Sequence, residues 1–409
     1  MNNIKKYRKY RILFFIISLI IICGGLSSCI RLGETEKKTE SENKNEKPEV
    51  DSEVSAYEYA YAYAYEQLSE KEQSLYAKMR DALLNFELFI EGNYLEDYSF
   101  DELNKANKFV FLDYPEIFWA SEGGTTYTSE LNGVKTVTKY EFNYILNQSQ
   151  KDKMQKQIDS AVSDFLNGLS SDLSEYGRTL AVYEYLIQTA DYDTAAMNKI
   201  SKGLKDDETA RSQTIASVFI DKKTVCSGYS RATQYLLNKL GISCIYISGG
   251  AKGQPDSHAW NMVKIDGDYY LLDTTWGNPL STDPTQEKRM TYNYFCLTAG
   301  EFNKSHTPNG DLILPDCTAT KYNYFVYNNL LLNEYDPTRI GEILRIAINN
   351  GEKGVYIKFS SENAAENAID SLFAGNSEIF DILGKISAGT QSVAYSFDSD
   401  VSVLYIGLQ

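Results

Sequence analysis

The chain has 409 residues, with 56 acidic side chains against 40 Lys and Arg, for a formal net charge of −16. That length supports two or three domains with real cores. A surface this acidic repels nucleic acid and anionic lipid headgroups, so no nucleic-acid partner is expected.

"MNNIKKYRKYR" opens the chain with Lys5, Lys6, Arg8, Lys9 and Arg11 and no acid. An apolar run follows from Ile12 to Leu26, short for a spanning helix and suited to a secretory signal. It ends in "LSSC", Leu26 to Cys29, which resembles a bacterial lipobox. The resemblance implies a lipoprotein signal peptide over 1–28, cleavage before Cys29 and lipidation of that thiol. The expected location is extracytoplasmic, with the lipid holding the chain to the bacterial cell membrane. Cleavage removes the five cations and takes the net charge from −16 to −21.

Residues 29–66 read as a flexible acidic linker, because so few large apolar groups cannot offset the entropy of folding. Its end, "AYEYAYAYAYEQ", alternates tyrosine and alanine. Period two suits a strand, but the alanines favour helix, and the stretch reads as a low-complexity approach to the first domain. Ser69 and Glu72 form a capping-box pattern ahead of Leu75, Met79, Leu83 and Phe86 on one helical face. Residues 67–175 continue as a mixed N-terminal α+β region, including the alternating "VKTVTKYEFNYIL", with no evident chemistry. "RTLAVYEYLIQT", about 178–189, reads as a further helix.

Residues 176–318 hold the chemistry. Cys226, in "KTVCSGYSRA", falls at or just before a helix that carries Leu236, Leu237 and Leu240 and stops at Gly241. A helix N-terminus favours negative charge and hence a thiolate. Gly228 is expected to let the backbone pass close to a substrate. Cys244 in "SCIYIS" and Cys296 in "YNYFCLT" sit in strand-like runs, and the pattern leaves open a disulfide among them and Cys317.

Only two histidines occur in the chain, and one lies in "SHAWNMVKIDGDYYLLDTTWGNP". Asp266-Gly267 between two strand-like runs predicts a two-residue hairpin. That turn sets Asp273 opposite Trp260 and His258 opposite Thr275, leaving His258 and Asp273 as diagonal neighbours on one face. Taken singly, His258 also reads as a core histidine, Asp273 as the start of a turn and Cys226 as a buried structural thiol. Together they suit a nucleophile, a general base and acid, and a carboxylate that orients the imidazole. His306, in "FNKSHTPNG", lies in a polar stretch and reads as a bystander or loop-fixing residue. No paired Cys/His spacing suggests zinc.

Residues 319–409 read as a compact α/β module: strand ("YNYFVYNNLLL"), helix, strand ("GVYIKF"), helix and two closing strands. With neither His nor Cys, it is expected to support or bind rather than catalyse.

"TVCSGYSRA", "HAWNMVKIDGDYYLLDTTWGNP" and "YNYFCLTAGEFNKSH" together resemble the bacterial transglutaminase-like superfamily. The resemblance implies an α+β chain with a papain-like core and catalytic Cys226, His258 and Asp273. By analogy with papain-like enzymes, Gln213 and the Cys226 N–H are candidate oxyanion donors. Trp260 and Trp276 flank the pair and read either as packing residues or as a shield of the pair from water, and Trp260 is also a candidate substrate-positioning residue. The implied reaction is hydrolysis or amide exchange on a peptide or protein at the cell envelope, through a thioester. The alternative is an inactive scaffold or binding lipoprotein with the same fold. No dense acidic cluster resembles the calcium sites of animal transglutaminases, so neither metal nor cofactor is expected.

Overall fold

A computed structural model describes residues 62–278, 290–375, 377–386 and 392–408. The expected signal peptide, Cys29 and Tyr57, Tyr59 and Tyr61 lie outside the described residues. The expected linker ends sooner than residue 66, because Ala62 and Ala64 are already buried. Backbone N–H groups of Ala64 and Tyr65 donate to the Asp113 carboxylate at 2.8 and 2.9 Å, and the Tyr76 hydroxyl donates to it at 2.8 Å.

Helix α1 (Glu70–Leu84) starts at the expected Ser69–Glu72 capping box and buries Leu75, Met79 and Leu83. Strand β1 (Phe89–Glu91), helix α2 (Phe100–Asp113), and strands β2 (Ala120–Leu131) and β3 (Val134–Tyr144) follow. The three strands form an antiparallel sheet in the order β1-β3-β2. Helices α3 (Gln148–Asn167) and α4 (Glu175–Thr189) lead to strand β4 (Asp191–Tyr192), and short helices α5 (Thr194–Ile200) and α6 (Asp207–Arg211) follow it.

Strand β5 (Lys223–Thr224) pairs in parallel with β4 and delivers the chain to helix α7 (Cys226–Lys239). Past its C-cap, Gly241 takes a φ of +77°, a conformation that costs glycine little. Next come strands β6 (Cys244–Ala251), β7 (Gln254–Ile265) and β8 (Asp268–Leu272), helix α8 (Ala299–Phe302) and strand β9 (His306–Pro308). They build an antiparallel sheet in the order β8-β7-β6-β9. Asp266 and Gly267 both have positive φ, 49° and 93°, as a type I′ turn requires. The register is the expected one, with Asn261 opposite Leu272 and Val263 opposite Tyr270. A slip of one residue would turn His258 to the other face.

Two expected strands differ. Cys296 lies outside the named strands with φ at 58°, and only its neighbour Leu297 bridges to Leu271. "YNYFVYNNLLL" forms helix α9 (Tyr324–Tyr327) and the two-residue strand β10 (Leu331–Leu332). Asn323 causes this by capping the N–H groups of Phe325 and Val326 with its side chain. The remainder follows the expected order: helix α10 (Pro337–Asn349), strand β11 (Gly354–Phe359), helices α11 (Glu362–Phe373) and α12 (Glu378–Ile386), and strands β12 (Val393–Asp398) and β13 (Val403–Leu408).

One hydrophobic core runs from Ala64 to Tyr322 and contains Leu75, Phe109, Leu186, Leu236 and Val263. The N-terminal region and the cysteine helix therefore share a core. Residues from Leu332 to Ile406 form a second core, and a third joins Trp260 and Met262 to Val401 and Val403. Among the described residues no helix is long and apolar enough to cross a membrane.

Candidate active site

Helix α7 begins on Cys226, and Val225 before it supplies no side-chain cap. Its N-terminus is packed against polar groups. A Cβ on Gly228 would lie 1.9 Å from Thr224 Oγ1, 2.9 Å from Ser217 Oγ and 3.0 Å from the Ser212 carbonyl oxygen. Gly228 thus admits this cluster to the helix, a different close approach from the expected one to substrate. Further along, Gln234 Nε2 donates to the Leu112 carbonyl at 2.8 Å, and the Arg231 guanidinium donates to that of Phe111. Asn261 Nδ2 on β7 donates to the Ser230 carbonyl at 3.0 Å, and Thr233 meets Thr274 hydroxyl to hydroxyl at 2.9 Å. The first two bonds tie the cysteine helix to α2, and the last two tie it to β7 and to the segment after β8, which carry the other candidate residues. None of these five side chains was singled out in the sequence, because an isolated Asn, Gln, Thr or Arg carries no spacing signal.

His258 sits on β7 opposite Gly249 of β6. Asp273 follows the last residue of β8, and the two side chains meet with His258 Nε2 2.7 Å from Asp273 Oδ2. Both are buried, at 3 % and 0 % relative exposure, so this pairing is barely screened by solvent. With Nε2 engaged, Nδ1 is the ring nitrogen left for the Cys226 thiol, whose hydrogen-bonding influence the imidazole feels. Burial draws the His258 pKa down, but the Asp273 charge, the bond to Asp273 and the Cys226 sulfur outweigh it and push the value up to about 10. For Asp273 burial acts upward, and the histidines prevail, holding the carboxyl well below the usual range.

The Asp273 carboxylate has four donors. Oδ1 accepts the backbone N–H groups of Thr275 and Trp276 at 2.8 and 3.1 Å. Oδ2 accepts His258 and also His306 Nε2, at 3.2 Å. His306 is therefore no loop bystander. It starts β9, is 1 % exposed, and packs within a ring of Trp260, Trp276, Tyr294 and Phe302. The signal in the sequence was its rarity, shared with His258 alone. The ligand atoms of His258, Asp273 and His306 lie within 4.8 Å of one another, the spacing a metal would use, and the two Nε2–Oδ2 hydrogen bonds account for it.

Cys226 and His258 face a cleft of about 990 Å³, with Gln213, Arg231 and Tyr246 on its walls. The Gln213 amide donates to the Thr209 carbonyl at 3.1 Å. Trp260 is fully buried, is not among the cleft-lining residues and stacks against His258 with ring centroids 6.0 Å apart. That placement matches the packing reading of Trp260, behind the imidazole, and does not match its candidacy as a substrate contact. Trp276 packs on His258 and His306, at 5.8 and 4.5 Å. None of Cys226, Cys244, Cys296 and Cys317 is in a disulfide, so no bridge joins the latter three. Burial raises the pKa values of Cys244 and Cys296, and that of Cys317 to about 11, leaving them protonated at neutral pH.

A family model described as a transglutaminase-like domain matches residues 162–282. Over that segment the chain is similar to transglutaminase-like domains. The match spans α4, α7 and the β6–β8 strands that bear Cys226, His258 and Asp273. Two curated relatives are the kyphoscoliosis peptidases of Mus musculus and Homo sapiens, each 28% identical over 187 residues, covering 42% of this chain. The aligned part is 26% of either relative, so the chain spans about a quarter of the proteins it matches. A solved TGase structure is similar over 41% of this chain and 48% of its own, at 17% identity and a TM-score of 0.28.

Proposed function

We propose that this protein is a cysteine-dependent acyl-transfer enzyme that opens peptide or protein amides through a thioester. The observation that carries the reading is the buried His258–Asp273 pair with a cysteine at the first position of a helix, where Cys226 and His258 line one cleft and Asp273 lies behind the imidazole. Cys226 Sγ attacks the amide carbon while its proton resides on His258 Nδ1. The negative charge on the tetrahedral oxygen is met by backbone N–H groups at the start of α7, with Gln213 as a candidate side-chain donor. His258 gives its proton to the departing amine as the C–N bond breaks, leaving the acyl group on sulfur. Water, deprotonated by His258, then releases the acid and restores the thiol. An amine in place of water gives amide exchange. Hydrolysis is the favoured outcome because water is the abundant acceptor. Asp273 keeps the imidazole oriented and stabilises its charged form.

The relatives' names, which call them peptidases, support the same reaction class. The lipobox-like "LSSC" supports an extracytoplasmic, lipid-anchored location with substrates at the cell envelope.

The test pairs substrate turnover with thiol chemistry. Peptidoglycan stem peptides, and separately a glutamine peptide with a fluorescent amine, are incubated with wild type, Cys226→Ala and His258→Ala. The reading expects one product class from wild type alone. If His258→Ala leaves the Cys226 alkylation rate unchanged across pH, the catalytic reading fails, and an inactive scaffold takes its place. Fatty-acid probe labelling that persists in Cys29→Ser would remove the anchor.

A further inference from the structure

We propose that His306 is a positioning residue for the reaction, acting through Asp273 to set the acidity of His258. The inference rests on the reading of Cys226, His258 and Asp273 as the reacting set.

A carboxylate offers about four lone-pair sites. In Asp273 all four have a donor, two per oxygen. The two backbone donors on Oδ1 fix the plane of the group. On Oδ2 the charge is shared between His258 at 2.7 Å and His306 at 3.2 Å. His306 is itself held, because its Nδ1 lies 2.9 Å from Ser305 Oγ. The surrounding rings leave it little freedom, with Phe302 at 4.0 Å and Trp276 at 4.5 Å between centroids. The titratable groups packed on it are Asp273, His258 and Tyr294.

Sharing has a chemical consequence. A carboxylate whose charge rests wholly on His258 stabilises the imidazolium too well, and an over-stabilised imidazolium is a poor acid toward the leaving amine. His306 draws off part of that charge. It also buries no empty lone pair, which a lone His258 contact would leave behind. The direction is the same whether His306 is neutral or charged. In either form its removal strengthens the hold of Asp273 on the His258 proton.

The experiment measures Cys226 alkylation by iodoacetamide against pH, alongside steady-state kinetics, in the full chain. His306→Phe removes the donor and keeps a ring. His306→Gln keeps an N–H that can reach Oδ2. Ser305→Ala frees Nδ1 and leaves the imidazole in place. The expected result for His306→Phe is an alkaline limb raised by about one pH unit. Its kcat falls about ten- to a hundredfold, while KM holds. His306→Gln returns the limb toward wild type and recovers most of the rate. Ser305→Ala moves the limb the same way by less, and it decides the matter should His306→Phe not fold. A limb unmoved in both His306→Phe and Ser305→Ala, or equal losses in His306→Phe and His306→Gln, overturns the proposal and leaves His306 a packing residue. A wild-type profile insensitive to His258→Ala overturns the triad reading and this inference with it. A normal His258 dependence with an unmoved limb overturns this inference alone.

Discussion

Gly228→Ala tests how α7 aims Cys226. The new methyl would sit 1.9 Å from Thr224 Oγ1, 2.9 Å from Ser217 Oγ and 3.0 Å from a backbone oxygen. The Thr224 hydroxyl cannot simply swing away. It accepts from Ser217 Oγ at 2.6 Å and donates to the Ser212 carbonyl at 3.1 Å. Overpacking of this kind costs about 1–3 kcal/mol. Each neutral hydrogen bond displaced costs about 1 kcal/mol more. Against this, alanine in a helix regains about 1 kcal/mol over glycine. The clash wins, with a net loss of roughly 1–4 kcal/mol as one or both of those bonds give way. Urea unfolding should show a lower midpoint at unchanged slope. Because the helix start must back away from the cluster, Cys226 alkylation should slow as well. The Thr224→Ala background, which deletes the offending oxygen, should shrink the stability cost of Gly228→Ala. Equal or greater stability for the single Gly228→Ala variant would refute the packing argument.

Other outcomes follow from the buried charges. Because the His258 pKa is raised, its stabilising contribution is full below about 6.5, the unfolded value. It is lost as pH climbs through about 10. Asp273, with a depressed pKa, contributes above about 4 and loses that contribution only in strong acid. Asp273→Asn should therefore flatten the alkaline decline of stability measured by urea midpoints from pH 6 to 10. Asp113 behaves in the opposite sense to Asp273: burial outweighs its three donors and pushes its pKa up to about 7. Its contribution is complete below about 4 and fades as pH rises through 7, so Asp113→Asn should remove the decline over that span. Asp113→Ala should cost roughly 3–5 kcal/mol, since it strands three buried or half-buried donors. Peptide mapping after brief alkylation at neutral pH should find Cys226 modified, and Cys244, Cys296 and Cys317 modified only on unfolding. Labelling of the three at the Cys226 rate would contradict their burial.

The cysteine helix was legible because its stop and its buried leucines are local signals. Leu236 and Leu237 are fully buried, and Gly241 takes the left-handed conformation that ends the helix. The hairpin was legible for a similar reason: Asp-Gly accepts two positive φ angles, and the turn then dictates which residues face each other. His306 was hidden because a three-residue strand is too short to show alternation. Its polar flanks resemble a loop until β6 pairs with it. The apolar run around Cys296 misled in the other direction, since burial on all sides produces the same letters as a strand. The shared core of residues 64–322 also leaves no composition signal, because apolar residues do not record which neighbour they meet.

The fastening of the chain at its entry has a mechanical meaning. Residues 64 and 65 are bonded to Asp113, the last residue of α2. The two carbonyls just before it, Phe111 and Leu112, are held by Arg231 and Gln234 of the helix that Cys226 begins. One route from the entry segment to the cysteine helix thus runs through the Asp113 side chain and two backbone oxygens, beside the bonds of Tyr63 and Gln67 to Ile313. The support of the cysteine helix therefore includes a carboxylate that lies more than a hundred residues upstream of it, and the entry segment is part of the scaffold of the cleft.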